Sequence, residues 1–385
     1  MSLRYRVAAL FAAYFFGLGL FLPYFPLVLA EAGLSPAEIG TVLALPLAVR
    51  LIANPLVGAL ADRYARPGPA LAVLSALAAL GFAGLAAVSG FWSIALLLAV
   101  TSLAWGPIVP LSDALAARVQ REGGGDYGRM RLWGSIAFIV ANIGGGALVG
   151  AATELVVVGG IVAGLAVSAF VAMALPVASV RAAPQTASPQ DPTAPPARTL
   201  WSPRFLLIIA AAGCVQASHA AYYAFSALHW SQAGLSGVWV GAFWGLGVVT
   251  EIALFAMAGR IGARIGPGGL LALGAGAAIL RWVLFPYAVD PVSIAALQVL
   301  HGLTFGATHL GGVAFVAASA PRHWAGAAQG VASTVVGGLT ALASAPAGVL
   351  YAIGPALAFD AMAGLAALGL VSLALARLAF HPASP

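Results

Sequence analysis

Lysine is absent from this chain of 385 residues, and charged residues of every kind supply only 7% of it, while hydrophobic residues supply 62%. A water-soluble fold of this length cannot cover its surface with so few charges. The composition therefore excludes a soluble globular protein and points to one whose solvent is the bilayer. Cysteine is nearly missing too: Cys214 stands alone inside an apolar run, which leaves no internal disulfide and no cysteine metal site. Short alternating strands of the outer-membrane kind are also lacking. The apolar segments are long and rich in Gly and Ala, so spanning α-helices are the reading. No His-Glu-x-x-His, Gly-x-Ser-x-Gly or Walker loop occurs, and no sizeable soluble domain that could hydrolyse ATP. Neither an enzyme nor a bound metal or cofactor is expected.

At about 20 apolar residues per crossing, the chain divides into twelve spans near 7–30, 36–60, 69–88, 91–115, 131–151, 155–176, 204–230, 237–259, 268–288, 292–316, 325–348 and 353–379. Arg4 and Arg6 precede the first, as in a signal peptide, but its apolar run is too long for a typical cleaved segment. All seventeen basic residues are arginine. All but Arg50 and Arg281 fall in the N-terminus, in alternate loops (Arg63 and Arg66; Arg118 to Arg131; Arg181 to Arg204; Arg260 and Arg264; Arg322) and at Arg377 near the C-terminus. The opposite loops carry Glu31, Glu38, Glu154 and Asp290 instead. The positive-inside rule then places both termini in the cytoplasm, in a bacterial-type inner membrane. The net charge of +6 reflects this topology and anionic headgroups, not nucleic acid.

Residues 181–203 form the only long polar stretch, rich in Pro, Ala, Ser and Thr, and read as a flexible cytoplasmic linker. They separate an N-terminal bundle of six spans, 1–180, from a C-terminal one, 204–385. The halves repeat each other. Ala32-Gly33-Leu34-Ser35 recurs as Ala233-Gly234-Leu235-Ser236, and the same register aligns Gly40 with Gly241, Gly58 with Gly259 and Arg63 with Arg264. Fifteen residues beyond each copy a charge interrupts an apolar helix: Arg50 in the first half, Glu251 in the second. Each costs roughly 2.5–3.5 kcal/mol at a bilayer centre on insertion scales, so a chain that keeps both is expected to use them.

Two parallel six-helix repeats resemble the major facilitator superfamily, an all-α membrane fold with twelve helices in two pseudo-symmetric bundles. The loop after span two, from Gly58 through Asp62 and Arg63 to Arg66, resembles that superfamily's G-x-L-x-D-R-x-x-R motif, whose implied role is gating. Pro67 and Pro69 replace its usual later residues, and the second-half copy has lost its acid. Pro110 to Leu115, Asp126 to Ser135, Arg281-Trp282 and Leu300 to Leu310 are similar to the phenylpropionate permease family and its relative lactose permease. The resemblance implies substrate contacts at Asp113, Arg131 and Arg281, with Glu251 and His301 on the positions of a glutamate and a histidine in the lactose-type pattern. It breaks at Thr304, where the lactose type keeps a carboxylate, and at Gln298, where it keeps a lysine. The phenylpropionate type has His-x-x-Thr-Phe, which this chain follows.

At 1.5 Å rise per residue, Arg50 and Glu251 are each expected roughly 20 Å in from the external face, and Arg281 and His301 roughly 10–15 Å in. Glu251 is the first candidate for proton carrier, because a carboxyl's proton affinity answers both to desolvation and to a neighbouring arginine. His301 is the second, since imidazole titrates near neutrality. An Arg50 to Glu251 pair could equally be a structural lock between the halves. Tyr14, Phe21 and Tyr24 in span one, Tyr222, Tyr223 and Phe225 in span seven, and Trp244 in span eight enrich the cavity-facing spans in rings. His219, Tyr222, Tyr223 and Ser226 share one helix face.

Rings and arginines together suit an aromatic carboxylate. The sequence thus leads to a proton-driven symporter, functional as a monomer, for a small organic acid of the 3-phenylpropionate kind, with Arg281, Arg50, Asp113, Arg131, Tyr14, Tyr222 and Trp244 around the substrate. A sugar or nucleoside symporter is the alternative; a drug antiporter and a membrane protein that does not transport are weaker ones.

Overall fold

The computed structural model describes residues 2–64, 67–149, 153–175, 201–320 and 324–378. Eleven of its helices are long and apolar enough to cross a bilayer. One of them, Gly237–Tyr287, has 51 residues, which at 1.5 Å per residue is roughly 75 Å, more than twice a hydrocarbon core of about 30 Å. Gly266 breaks it at φ 64°, with Pro267 behind it. These are the eighth and ninth expected spans, joined by a turn so tight that the helices run on.

In chain order the helices are α1 (Leu3–Glu31), α2 (Pro36–Tyr64), α3 (Pro67–Gly84), α4 (Phe91–Trp105), α5 (Ile108–Arg121), α6 (Tyr127–Leu148) and α7 (Thr153–Met173). There follow α8 (Pro203–Ala217), α9 (Ala220–Gln232), α10 (Gly237–Leu284), α11 (Pro291–Val299), α12 (Thr308–Ser319), α13 (Ala325–Ile353) and α14 (Pro355–Leu378). The chain forms two compact units, one of Met1–Ala183 with Tyr223–Gly245, the other of Pro184–Tyr222 with Leu246–Pro385. The linker stretch up to residue 200 lies outside the described residues.

The Ala-Gly-Leu-Ser repeat has a structural reason. Gly33 and Gly234 take φ of 83° and 85°, a left-handed conformation that a Cβ would oppose. Each ends a helix with the same pair of bonds: Gly33 N–H to Ala30 O and Leu34 N–H to Leu29 O, then Gly234 N–H to Ser231 O and Leu235 N–H to Trp230 O, all 3.0–3.1 Å. The serine then opens the next helix. At Ser35 it does so with a full capping box, Glu38 Oε2 accepting from the Ser35 N–H at 2.8 Å and its hydroxyl at 2.7 Å. A second echo follows: single 3₁₀ turns at Leu85–Ala87 and Phe285–Tyr287 each hand over to a helix, at Phe91 and Pro291. In the latter, Asp290 caps α11 by accepting from the Val292 and Ser293 N–H groups at 3.0 Å. The Ser293 hydroxyl, followed by the Ser293 N–H, holds its carboxyl below the usual carboxylate range.

Span one and span seven are the inner helices, 72% and 78% of their apolar windows being buried, against 28% for span two and for span eleven. The outer helices give their apolar residues to lipid instead, Ile52, Trp92, Phe170 and Leu342 among them. Three spans are interrupted midway. Span four breaks between α4 and α5 at Gly106-Pro107, where proline removes a helical N–H and its ring crowds the carbonyl four residues back. Span seven breaks between α8 and α9 at Ser218-His219, and span ten widens into a π-helix over Gly302–Ala307. Such interruptions free backbone groups, which in a bilayer survive only where other protein groups or a cavity satisfy them.

Candidate functional site

In the second unit the buried polar residues converge on Arg281, whose side chain is 0% exposed. A buried guanidinium needs acceptors for its donors, and both terminal nitrogens find them. Nη1 donates to His301 Nδ1 at 3.0 Å and to Thr304 Oγ1 at 3.2 Å, while Nη2 donates to Gln298 Oε1. The Gln298 amide is thereby oriented, and its Nε2 donates to the Tyr222 hydroxyl at 3.0 Å. The guanidinium carbon stands 4.7 Å from the centre of the Tyr222 ring and 4.5 Å from that of Trp282, the geometry of a cation held by aromatic faces.

Both helix interruptions of this unit feed the cluster. The π-segment carries Thr304 and follows directly on His301, whose ring stacks on Phe305 at 5.6 Å. The break in span seven leaves Ser218 accepting the Trp282 indole N–H at 2.9 Å, and His219 reaching Thr304 Oγ1 through Nε2 at 3.0 Å. Glu251 packs against the same π-segment: a Cβ at Gly306 would lie 3.6 Å from its Cγ, and the Gly302 N–H donates to the Thr250 hydroxyl at 3.2 Å. A Cβ at Gly302 would come to 2.7 Å from Thr250 O, so only glycine lets span ten lie this close to span eight.

A second cluster occupies the first unit. Tyr14 has Arg50, Arg131 and Asp113 all within electrostatic reach of its hydroxyl. Arg50 is exposed; its Nε donates to Pro46 O at 3.2 Å, and its stem crosses the break in span four where a Cβ at Gly106 would overlap it. Asp113 and Arg131 do not form a direct ion pair in this conformation. Asp113 Oδ1 accepts from the Tyr127 hydroxyl at 3.0 Å, and Arg131 lies over the Phe15 ring at 3.8 Å and the Phe11 ring at 5.5 Å. Phe11 and Tyr127 meet edge to face, which closes the ring of contacts. Trp244 belongs to this unit as well, its indole N–H donating to Ser226 at 3.2 Å and its ring 6.1 Å from Tyr223.

The candidates thus fall into two groups, Arg281, His301, Tyr222 and Glu251 gathered in one unit and Arg50, Tyr14, Asp113 and Arg131 in the other, which also holds Trp244 beside Tyr223 and Ser226. Gln298, Thr304 and His219 complete the first group, and Tyr127 the second. The first three carry a sequence signal, a polar side chain facing inward beside a helix interruption, but the interruptions themselves are hard to read without coordinates. Of the loop motif after span two, Gly58 has no described atom within 4 Å of a Cβ built on it. The side chains of Asp62 and Arg63, and all of Arg66, lie outside the described residues. A cavity of about 270 Å³ beside Phe25, Glu31, Leu85 and Ile94 includes none of the candidates.

Comparison with known proteins meets this geometry from outside. Residues 5–361 match the model of the MFS_1 like family. A probable 3-phenylpropionic acid transporter of Escherichia coli strain K12 is 32% identical over 350 residues, 88% of each chain. A maltose permease of Geobacillus stearothermophilus is 42% identical over 129 residues, 33% of this chain and 32% of that one. The crystal structure of the nucleoside transporter NupG superposes with a TM-score of 0.81 at 19% identity, covering 99% of this chain and 100% of that one, which is agreement of fold. The chain therefore belongs to the MFS_1 like family of the major facilitator superfamily, and it is a multi-pass membrane transport protein rather than an enzyme.

Proposed function

We propose that this transporter is a proton-coupled symporter for a small aromatic carboxylate, of the 3-phenylpropionate class, working by alternating access in an inner membrane with both termini cytoplasmic. The observation that carries the reading is Arg281, buried against the neighbouring Tyr222 and Trp282 rings and hydrogen-bonded to His301. Rings and guanidinium together match an aryl group and a carboxylate. The long alignment with the probable 3-phenylpropionic acid transporter agrees with it.

The coupling follows from the chemistry of one lone pair. A guanidinium can only donate, so the Nδ1 that receives it is unprotonated and the His301 hydrogen sits on Nε2. A proton arriving at Nδ1 and the guanidinium therefore compete for the same site. Protonation would release Nη1 toward a substrate carboxylate, so that proton and anion load together. Glu251, packed on the same π-segment, is the carboxylate assigned to carry the proton onward. Arg50, Tyr14 and Trp244 of the first unit, with Asp113 and Arg131 joined through Tyr127, are assigned to substrate contact as well. Metal ions and organic cofactors have no part in this scheme, and one chain suffices.

Counterflow of labelled 3-phenylpropionate into liposomes tests the assignment. Arg281→Ala is expected to lower it about 10–100-fold, the worth of one or two hydrogen bonds to a charged group; counterflow at the wild-type rate removes Arg281 from the site. A sugar symporter is the second reading, favoured by the segment shared with the maltose permease, and uptake of a neutral glycoside in place of the acid would select it.

A further inference from the structure

We propose that His219 is a positioning residue of the Arg281 site: it fixes the direction of the Thr304 hydroxyl, and through it the guanidinium that meets the substrate. His219 is fully buried, at the break in span seven. That break presents two backbone carbonyls to its Nδ1, Val215 O at 3.1 Å and Gln216 O at 3.2 Å. Carbonyls only accept, so Nδ1 carries the ring hydrogen, and in the neutral ring the Nε2 lone pair is left for Thr304 at 3.0 Å. Thr304 then donates to His219 and turns its own lone pairs to Arg281 Nη1 at 3.2 Å. A relay of fixed polarity runs from the span-seven backbone through His219 and Thr304 to the guanidinium. Without the imidazole, the hydroxyl has another acceptor in reach, His301 O at 3.3 Å, and rotation toward it takes the lone pair away from Arg281.

The inference rests on the reading of Arg281 as carboxylate site, and its test separates the two. Solid-state NMR of the ¹⁵N,¹³C-histidine-labelled full chain in lipid, with the His219 signals identified by their loss in His219→Gln, needs no substrate. The expected wild-type spectrum has His219 as the Nδ1–H tautomer, with Nε2 shifted by Thr304→Val; an Nε2–H tautomer, or indifference to Thr304→Val, overturns the proposal. Counterflow of 3-phenylpropionate supplies the second arm. Glutamine places an acceptor where Nε2 stood, whereas asparagine can serve only the Nδ1 side. His219→Gln should keep KM within about threefold, and His219→Asn should raise it about tenfold with the maximal rate little changed. Equal KM values for the two variants overturn the proposal. A wild type that does not carry 3-phenylpropionate overturns only the substrate reading, and the spectrum then decides the relay.

Discussion

Arg281 is held by several groups at once. Two side-chain nitrogens reach three acceptors, and the centres of two neighbouring aromatic rings lie 4.7 and 4.5 Å from the guanidinium carbon. Lysine cannot reproduce this, because its ammonium is a point charge without a planar fork. Arg281→Lys is therefore expected to transport nearly as poorly as Arg281→Ala while folding normally, as judged by elution as a monodisperse species in detergent. Transport restored by lysine to within about threefold would mean that charge alone is needed there. The residue scale is also where sequence reading reached furthest and fell short. Arg50, Arg281, His301 and Glu251 stand out because charge and imidazole are rare in apolar helices. Thr304 and Gln298 stand out in sequence only as departures from the lactose-type pattern, and become partners of Arg281 when span nine lies against span ten. The expected Asp113 and Arg131 contact runs through Tyr127, an aromatic that composition alone would assign to the interface.

Elements tell a similar story. The glycine of each Ala-Gly-Leu-Ser copy was conspicuous as a repeat, and its left-handed φ is what the repeat preserves. Gly234→Ala is expected to destabilise the protein by about 1 kcal/mol, since the left-handed conformation costs an L-residue roughly 1–2 kcal/mol; thermal unfolding in detergent reads it, and an unchanged midpoint would contradict the turn as described. The twelve spans were legible because hydropathy is a property of long runs, whereas the breaks in spans four, seven and ten were not, because each depends on one or two residues. Within the first unit, α6 and the start of α10 approach so closely that a Cβ on Gly146 would overlap Gly237 O. The Tyr24 hydroxyl joins them, donating to Asn142 O at 2.6 Å or to Gly237 O at 3.3 Å. Gly146→Val should hold these helices apart. With Cys214 replaced by serine and a cysteine at position 142, maleimide labelling is expected to quicken severalfold in that variant; an unchanged rate would mean the contact is not closed in the membrane.

At the scale of the molecule, fold and transport class rest on agreement between independent features: the repeat, the arginine-bearing loops, the helices and the family match. Substrate and coupling are proposals built on a handful of buried side chains, and proton coupling is the central one. It is tested by following external pH with an impermeant dye while 3-phenylpropionate enters liposomes holding the wild type, Arg281→Ala or Glu251→Gln. The account predicts alkalinisation beyond that of protein-free liposomes for the wild type alone, with Glu251→Gln retaining counterflow of labelled substrate. Uptake by the wild type without proton movement, or alkalinisation unchanged in Glu251→Gln, would contradict it.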